Sequence, residues 1–193
     1  MTLDRIRIVL VNTTHPGNIG GAARAMANMG VNHLYLVGPQ RFPSIEATVR
    51  AAGADHLLER AIVCESLDDA VADCGLVIGT TARQRSVGWV ELSPEAVMAK
   101  VRERILTDQI AFVFGREASG LTNSELERCQ YHVRIPVEEG FPSINLAAAV
   151  MIIVYELKKT FEPHTHEPEL AFDQEQLATS SEVQGFYRHL EDI

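Results

Sequence analysis

Apolar runs and polar breaks alternate along most of the chain. The short runs are rich in β-branched residues and read as strands at residues 5–11, 33–37, 61–63, 76–80, 110–114 and 131–135. The segments between them carry helix punctuation. Residues 22–29 are alanine-rich and stop at Gly30, and residues 44–52 stop at Gly53. Ser66 and Asp69 have capping-box spacing for a helix to about Asp73. Ser93, Pro94 and Glu95 supply an N-cap, a proline at the first helical position and a first-turn acid for a helix to about Leu106. Thr122 with Glu125 caps another, to about Cys129. Pro136 ends the last strand, and Ser143 and Asn145 precede the longest apolar segment, from Leu146 to about Leu157. That segment is apolar on nearly every face, which predicts a buried helix.

About six almost wholly apolar strands alternating with helices predict an α/β fold: a mainly parallel sheet with helices on both faces. In such a sheet the loops leaving the carboxyl ends of the strands share one edge. Four loops fall there: residues 12–21, with three glycines, and residues 80–85, 115–120 and 137–143.

At 193 residues the chain is long enough for one domain and a short appendage. After Phe161 the composition shifts. Residues 162–168 form a polar, proline-bounded linker, and Val183, Phe186, Tyr187 and Leu190 then fall at i, i+3, i+4 and i+7. Residues 1–161 therefore read as the main domain. Residues 162–193 read as an acidic linker and amphipathic helical extension, which docks on the body, docks on another subunit or opens a further domain.

Charge sharpens this division. The net charge of −9 argues against nucleic acid, but residues 162–193 hold eight acids against one base, Arg188; subtracting that −7 leaves −2 for residues 1–161. A near-neutral body accommodates a local basic patch, and it is the patch that binds phosphate. No apolar window is long enough to span a membrane, and no leader pattern opens the chain. The three cysteines are widely spaced without a CxxC pair, which predicts buried thiols in a reducing compartment, the cytoplasm.

No phosphate-binding fingerprint of the GxGxxG or GxxxxGK[ST] type is present. The glycines of residues 12–21 either serve a turn or free backbone N–H groups for an anion. Arg24 follows among alanines, as a snorkelling surface residue or an anion clamp. Arg83 and Arg85 beside Trp89 combine cation and aromatic in one loop. His164 and His166 supply two ligands at most, so no metal is expected.

Three strings then carry a resemblance: Asn18-Ile19-Gly20-Gly21-Ala22-Ala23-Arg24, Phe114-Gly115-Arg116-Glu117-Ala118-Ser119-Gly120-Leu121, and Ile135-Pro136 followed by Ser143-Ile144-Asn145-Leu146-Ala147. In this order, each at a strand end, they resemble the SPOUT class of RNA methyltransferases over about residues 5–157. Thr80-Thr81-Ala82-Arg83-Gln84-Arg85 is similar to the corresponding loop of the TrmJ-type tRNA ribose 2′-O-methyltransferases.

The resemblance implies a C-terminal trefoil knot, a homodimer and methyl transfer from S-adenosyl-L-methionine to a ribose 2′-hydroxyl of tRNA, leaving S-adenosyl-L-homocysteine. It implies cytidine or uridine at anticodon-loop position 32 as the target, with another tRNA or rRNA site, or a non-catalytic knotted RNA-binding module, as alternatives. It assigns Arg24 and Ser143 to catalysis. Thr80, Thr81, Ala82, Gly115, Ile135, Ser143, Ile144, Asn145 and Leu146 go to the cofactor, and Asn18, Arg24, Arg83, Arg85, Arg116 and Glu117 to RNA. Because an arginine stays protonated, Arg24 is expected to hold phosphate and polarise the hydroxyl rather than act as a general base.

Overall fold

The computed structural model describes residues 2–82, 90–162 and 178–191. The chain divides into two units, Met1–Pro163 and His164–Ile193.

The first unit is built on seven parallel strands. They are β1 (Ile6–Val11), β2 (His33–Val37), β3 (Ile62–Cys64), β4 (Cys74–Thr81), β5 (Glu91–Leu92), β6 (Gln109–Phe114) and β7 (Tyr131–Arg134). Their order across the sheet is β3-β2-β1-β6-β4-β7-β5. The helices are α1 (Pro16–Met29), α2 (Ile45–Ala51), α3 (Asp55–Glu59), α4 (Leu67–Val71), α5 (Pro94–Arg104), α6 (Asn123–Leu126) and α7 (Leu146–Phe161).

The sheet has two unequal faces. Ile6, Ile8 and Leu10 of β1 and Ile110, Phe112 and Phe114 of β6 join α1, α2, α3, α5 and α7 in the larger core. The alternate residues Val9, Val11, Ala111 and Val113 are smaller and join residues of the short α4 and α6 in a second, smaller core. Period-two alternation places one set of side chains on each face, and the bulky set lies under the long helices.

Six expected strands become seven. β5 is two residues long in a stretch that reads as polar loop, and its pairing with β7 supplies what periodicity could not. The five-residue α3, which lacks a side-chain cap, was equally silent. Both expected capping boxes are present, at Ser66/Asp69 and Thr122/Glu125.

The first helix requires a correction: it begins at Pro16, not Ala22, so the three glycines expected in a loop lie inside α1. His15 caps it by accepting from the Gly17 N–H through Nδ1 at 3.1 Å, and Pro16 takes the first helical position. α7 also departs from expectation. Val150, Ile153, Val154 and Leu157 are fully buried, but Tyr155 is 51% exposed, so one apolar flank faces outward.

Cys64, Cys74 and Cys129 are free thiols, and burial pushes Cys129 up to about 12. Among the described residues no helix is long and apolar enough to cross a membrane, and no group of His, Cys, Asp and Glu could hold a metal ion.

The second unit contains α8 (Ser180–Glu191), whose Val183, Phe186, Tyr187 and Leu190 are all exposed.

Candidate active site

Loops from three adjacent strands close around one cavity of about 220 Å³. β4 contributes Thr80, Thr81 and Ala82; β6 leads into residues 114–121; β7 leads into Ile135 and Val137. The start of α7 supplies Leu146 and Ala149, with Pro142, Ser143 and Ile144 before it. Gly115, Ile135 and Leu146, far apart in sequence, therefore share a wall. Phe114, Leu121, Val133 and Pro142 complete the lining, although the sequence motifs alone did not assign them to it. Their only sequence signal is apolar character at a strand end or loop.

Gly115 is fixed by close approach. A Cβ there would lie 2.2 Å from the Gly120 carbonyl carbon and the Leu121 nitrogen. The loop folds back at that point, with a bridge between Arg116 and Gly120, and Gly120 takes the left-handed conformation at φ 70°. Thr80 donates its hydroxyl to the Val113 carbonyl at 3.0 Å, tying the tip of β4 to β6. Ser143 is exposed at the rim.

Two neighbouring charges on the β6 loop have opposite fates. Arg116 turns to Glu125, with guanidinium–carboxylate distances of 2.9 and 3.0 Å. Glu117 turns to the start of α1. It accepts from the Thr14 N–H at 3.2 Å, the Thr14 hydroxyl at 3.0 Å, the His15 N–H at 3.2 Å and the Asn18 amide at 2.9 Å. Burial works to raise its pKa, but these donors, Asn18 foremost, outweigh it and bring the group down to about 2. The pair that reads in sequence as Arg116 beside Glu117 is thus two separate clamps. Thr14 and His15, which no motif singled out, are half of the second.

The network continues. Asn18 accepts from Asn145 at 2.9 Å, and Asn145 caps α7 by accepting from the Ala147 and Ala148 N–H groups at 2.9 and 3.3 Å. Asn145 is not among the residues lining the cavity. One carboxylate and two amides thus join the β6 loop, α1 and α7, the three segments that carry the sequence motifs. Arg24 lies two turns into α1, exposed, and its guanidinium has no hydrogen-bond or ion-pair partner among the described residues. Arg83 and Arg85 lie outside the described residues.

Similarity to known proteins agrees with this arrangement. The chain is 45% identical over 197 residues to the tRNA (cytidine/uridine/adenosine-2′-O-)-methyltransferase TrmJ of Pseudomonas aeruginosa, covering 98% of this chain and 77% of that protein. It superposes with TM-score 0.80 on a probable methylase family protein from Haemophilus influenzae, 40% identical, covering 98% of this chain and 78% of the other. The fold recurs in the SpoU methyltransferase AviRb of Streptomyces viridochromogenes, solved in complex with AdoMet, at TM-score 0.64 and 21% identity over 81% of this chain and 57% of that one. The SpoU rRNA methylase family matches residues 5–155, a span that runs from the first strand to the helix closing the cavity, and the chain belongs to that family.

Proposed function

We propose that the protein transfers the methyl group of S-adenosyl-L-methionine to a ribose 2′-hydroxyl of tRNA, at cytidine or uridine 32 of the anticodon loop, in the cytoplasm. The observation that carries the reading is the convergence of three motif-bearing loops on one cavity, tied through Glu117, Asn18 and Asn145 to the helix that bears an uncommitted arginine.

The cavity suits the cofactor. Ile135, Leu146 and Val133 give apolar walls for an adenine, and the strand ends offer backbone hydrogen-bonding groups. Glu117, on the lining and held ionised, favours a sulfonium cation nearby. When bound, the cofactor supplies a methyl carbon open to in-line displacement. The chain's residues align the attack and manage the hydroxyl proton. Arg24 holds a phosphate of the target nucleotide and polarises the 2′-oxygen. The C–O bond forms as the C–S bond breaks, and the hydroxyl proton passes to phosphate or water. Ser143 presents its hydroxyl from the rim to nucleotide or cofactor. Arg116 and Asn18, both engaged in the protein's own hydrogen bonds, shape the loops rather than grip RNA.

The working form in this reading is a homodimer, supported by the outward apolar flank of α7 at Tyr155. The inserted position of β7 between β4 and β5 is compatible with the implied trefoil knot.

Mapping ribose methylation on undermethylated tRNA incubated with protein and cofactor tests the activity; a modification at position 32 is expected. Arg24→Ala should abolish transfer while calorimetry still detects S-adenosylhomocysteine binding. Near-normal turnover by that variant would reject the role of Arg24.

A further inference from the structure

We infer that Arg50 of α2 is a second seat for RNA phosphate, beside Arg24 where α1 packs closely on α2. The inference rests on the RNA-methylation reading and extends the substrate surface beyond the cavity.

α1 places Gly17, Gly20, Gly21 and Arg24 on one face, at i, i+3, i+4 and i+7. Gly20 looks at α2: a Cβ there would lie 2.1 Å from the Ala47 carbonyl oxygen and 2.9 Å from the Arg50 Cβ. Gly21 looks at α7, where its Cβ would lie 2.8 Å from the Ala147 Cβ. Arg24 is therefore in line with the seam between the two neighbouring helices. Helical side chains lean toward the N-terminus, which carries Arg24 back over Gly20 and Gly21. Arg50 starts from the edge of the same glycine. The close approach of α1 and α2 at Gly20 brings the two arginines to neighbouring positions on the surface, where two guanidinium groups rise from adjacent helices.

The distribution of ion pairs supports this. On α5 and the end of α7 the cations are committed: Lys100 to Glu103, Arg104 to Asp108, Lys158 to Glu162 and Lys159 to Glu156, while Arg102 donates to the Thr160 carbonyl. Arg24 and Arg50 are exposed and have no such partner among the described residues. Glu46 is one turn before Arg50 on the same helix, the spacing of a helical ion pair, yet it lies 3.4 Å from His15 Nδ1 instead. In a chain of net charge −9, two neighbouring free arginines are a local positive patch fit for a polyanion.

Binding of an unmodified tRNA transcript to the full chain, measured across a salt series, tests the inference. Arg50→Ala should weaken binding about fivefold or more at low salt and lower the slope of log affinity against log salt by about one. Arg50→Lys should recover most of both, because a point charge serves a phosphate. Arg60→Ala removes the same charge just before β3, at the amino-terminal edge of the sheet, and should change neither. S-adenosylhomocysteine binding should match wild type in all three, which shows that the fold is intact. Wild-type affinity and slope in Arg50→Ala, or an equal loss in Arg60→Ala, would overturn the inference. If the unaltered chain methylates tRNA in the same preparation, only the role of Arg50 falls; if it transfers no methyl group, the methylation reading falls and takes this inference with it.

Discussion

Glu117 holds the start of α1 by accepting four hydrogen bonds, and those bonds need its charge. Its pKa falls from 4.5 to about 2 on folding, so the folded state favours the ionised form. The resulting stability is fully present above about 4.5 and is lost as pH falls toward 2. Glu117→Gln keeps the size and removes the charge. It should lower the unfolding midpoint at pH 7, and the gap to wild type should close as pH drops below about 3 in a urea series. A gap that stays constant with pH would mean that packing, not charge, is what the residue contributes. The same variant should also lower turnover more than it lowers cofactor affinity, since it loosens the helix bearing Arg24. The sequence motif marks Glu117 as an RNA contact beside Arg116, not as the clamp on α1. Its real partners, Thr14, His15 and Asn18, are brought to it by the pairing of β1 with β6, and no local pattern announces that.

At the scale of elements, the strands were legible because burial on both faces leaves little but β-branched and aromatic residues to choose from, as in Ile110 to Phe114. The capped helices were legible because a cap is a local side-chain chemistry. α1 was misread at its start because a glycine run ordinarily signals a turn, whereas here the glycines are packing surfaces inside a helix. They separate by what they face. Gly20→Ala drives a methyl into a backbone carbonyl at 2.1 Å, which the helix cannot move aside cheaply, and should cost about 2–3 kcal/mol in chemical denaturation. Gly21→Ala meets the side-chain methyl of Ala147 at 2.8 Å; the gain in helix propensity offsets part of that, leaving a loss of about 1 kcal/mol. Equal losses at the two positions would contradict the assignment of Gly20 to the tighter seam. α7 argues the same lesson from the other side. Its apolar sequence promised burial all round, but only the flank with Val150, Ile153, Val154 and Leu157 is used within one chain. Tyr155→Arg should therefore leave the monomer folded and shift sedimentation toward half the mass if a second copy covers that flank.

For the molecule as a whole, the cavity and both hydrophobic clusters are drawn from residues 3–157. Among the described residues of the second unit, α8 has no buried residue. That unit does carry much of the charge. Residues 164–193 hold seven acids and Arg188, a sum of −6, so a chain ending at Pro163 would have −9 − (−6) = −3. Two consequences separate fold from charge. The shortened chain should unfold at the same urea concentration as the full one and bind S-adenosylhomocysteine within about twofold, because it keeps the buried residues of both hydrophobic clusters and the described lining of the cavity. Its association with tRNA at low salt should be faster, because less negative charge opposes the encounter, and the difference should vanish as salt rises. Loss of S-adenosylhomocysteine binding on truncation would show that the second unit completes the cavity. An association rate that falls at every salt concentration would show that its amphipathic helix holds RNA more strongly than its acids repel it.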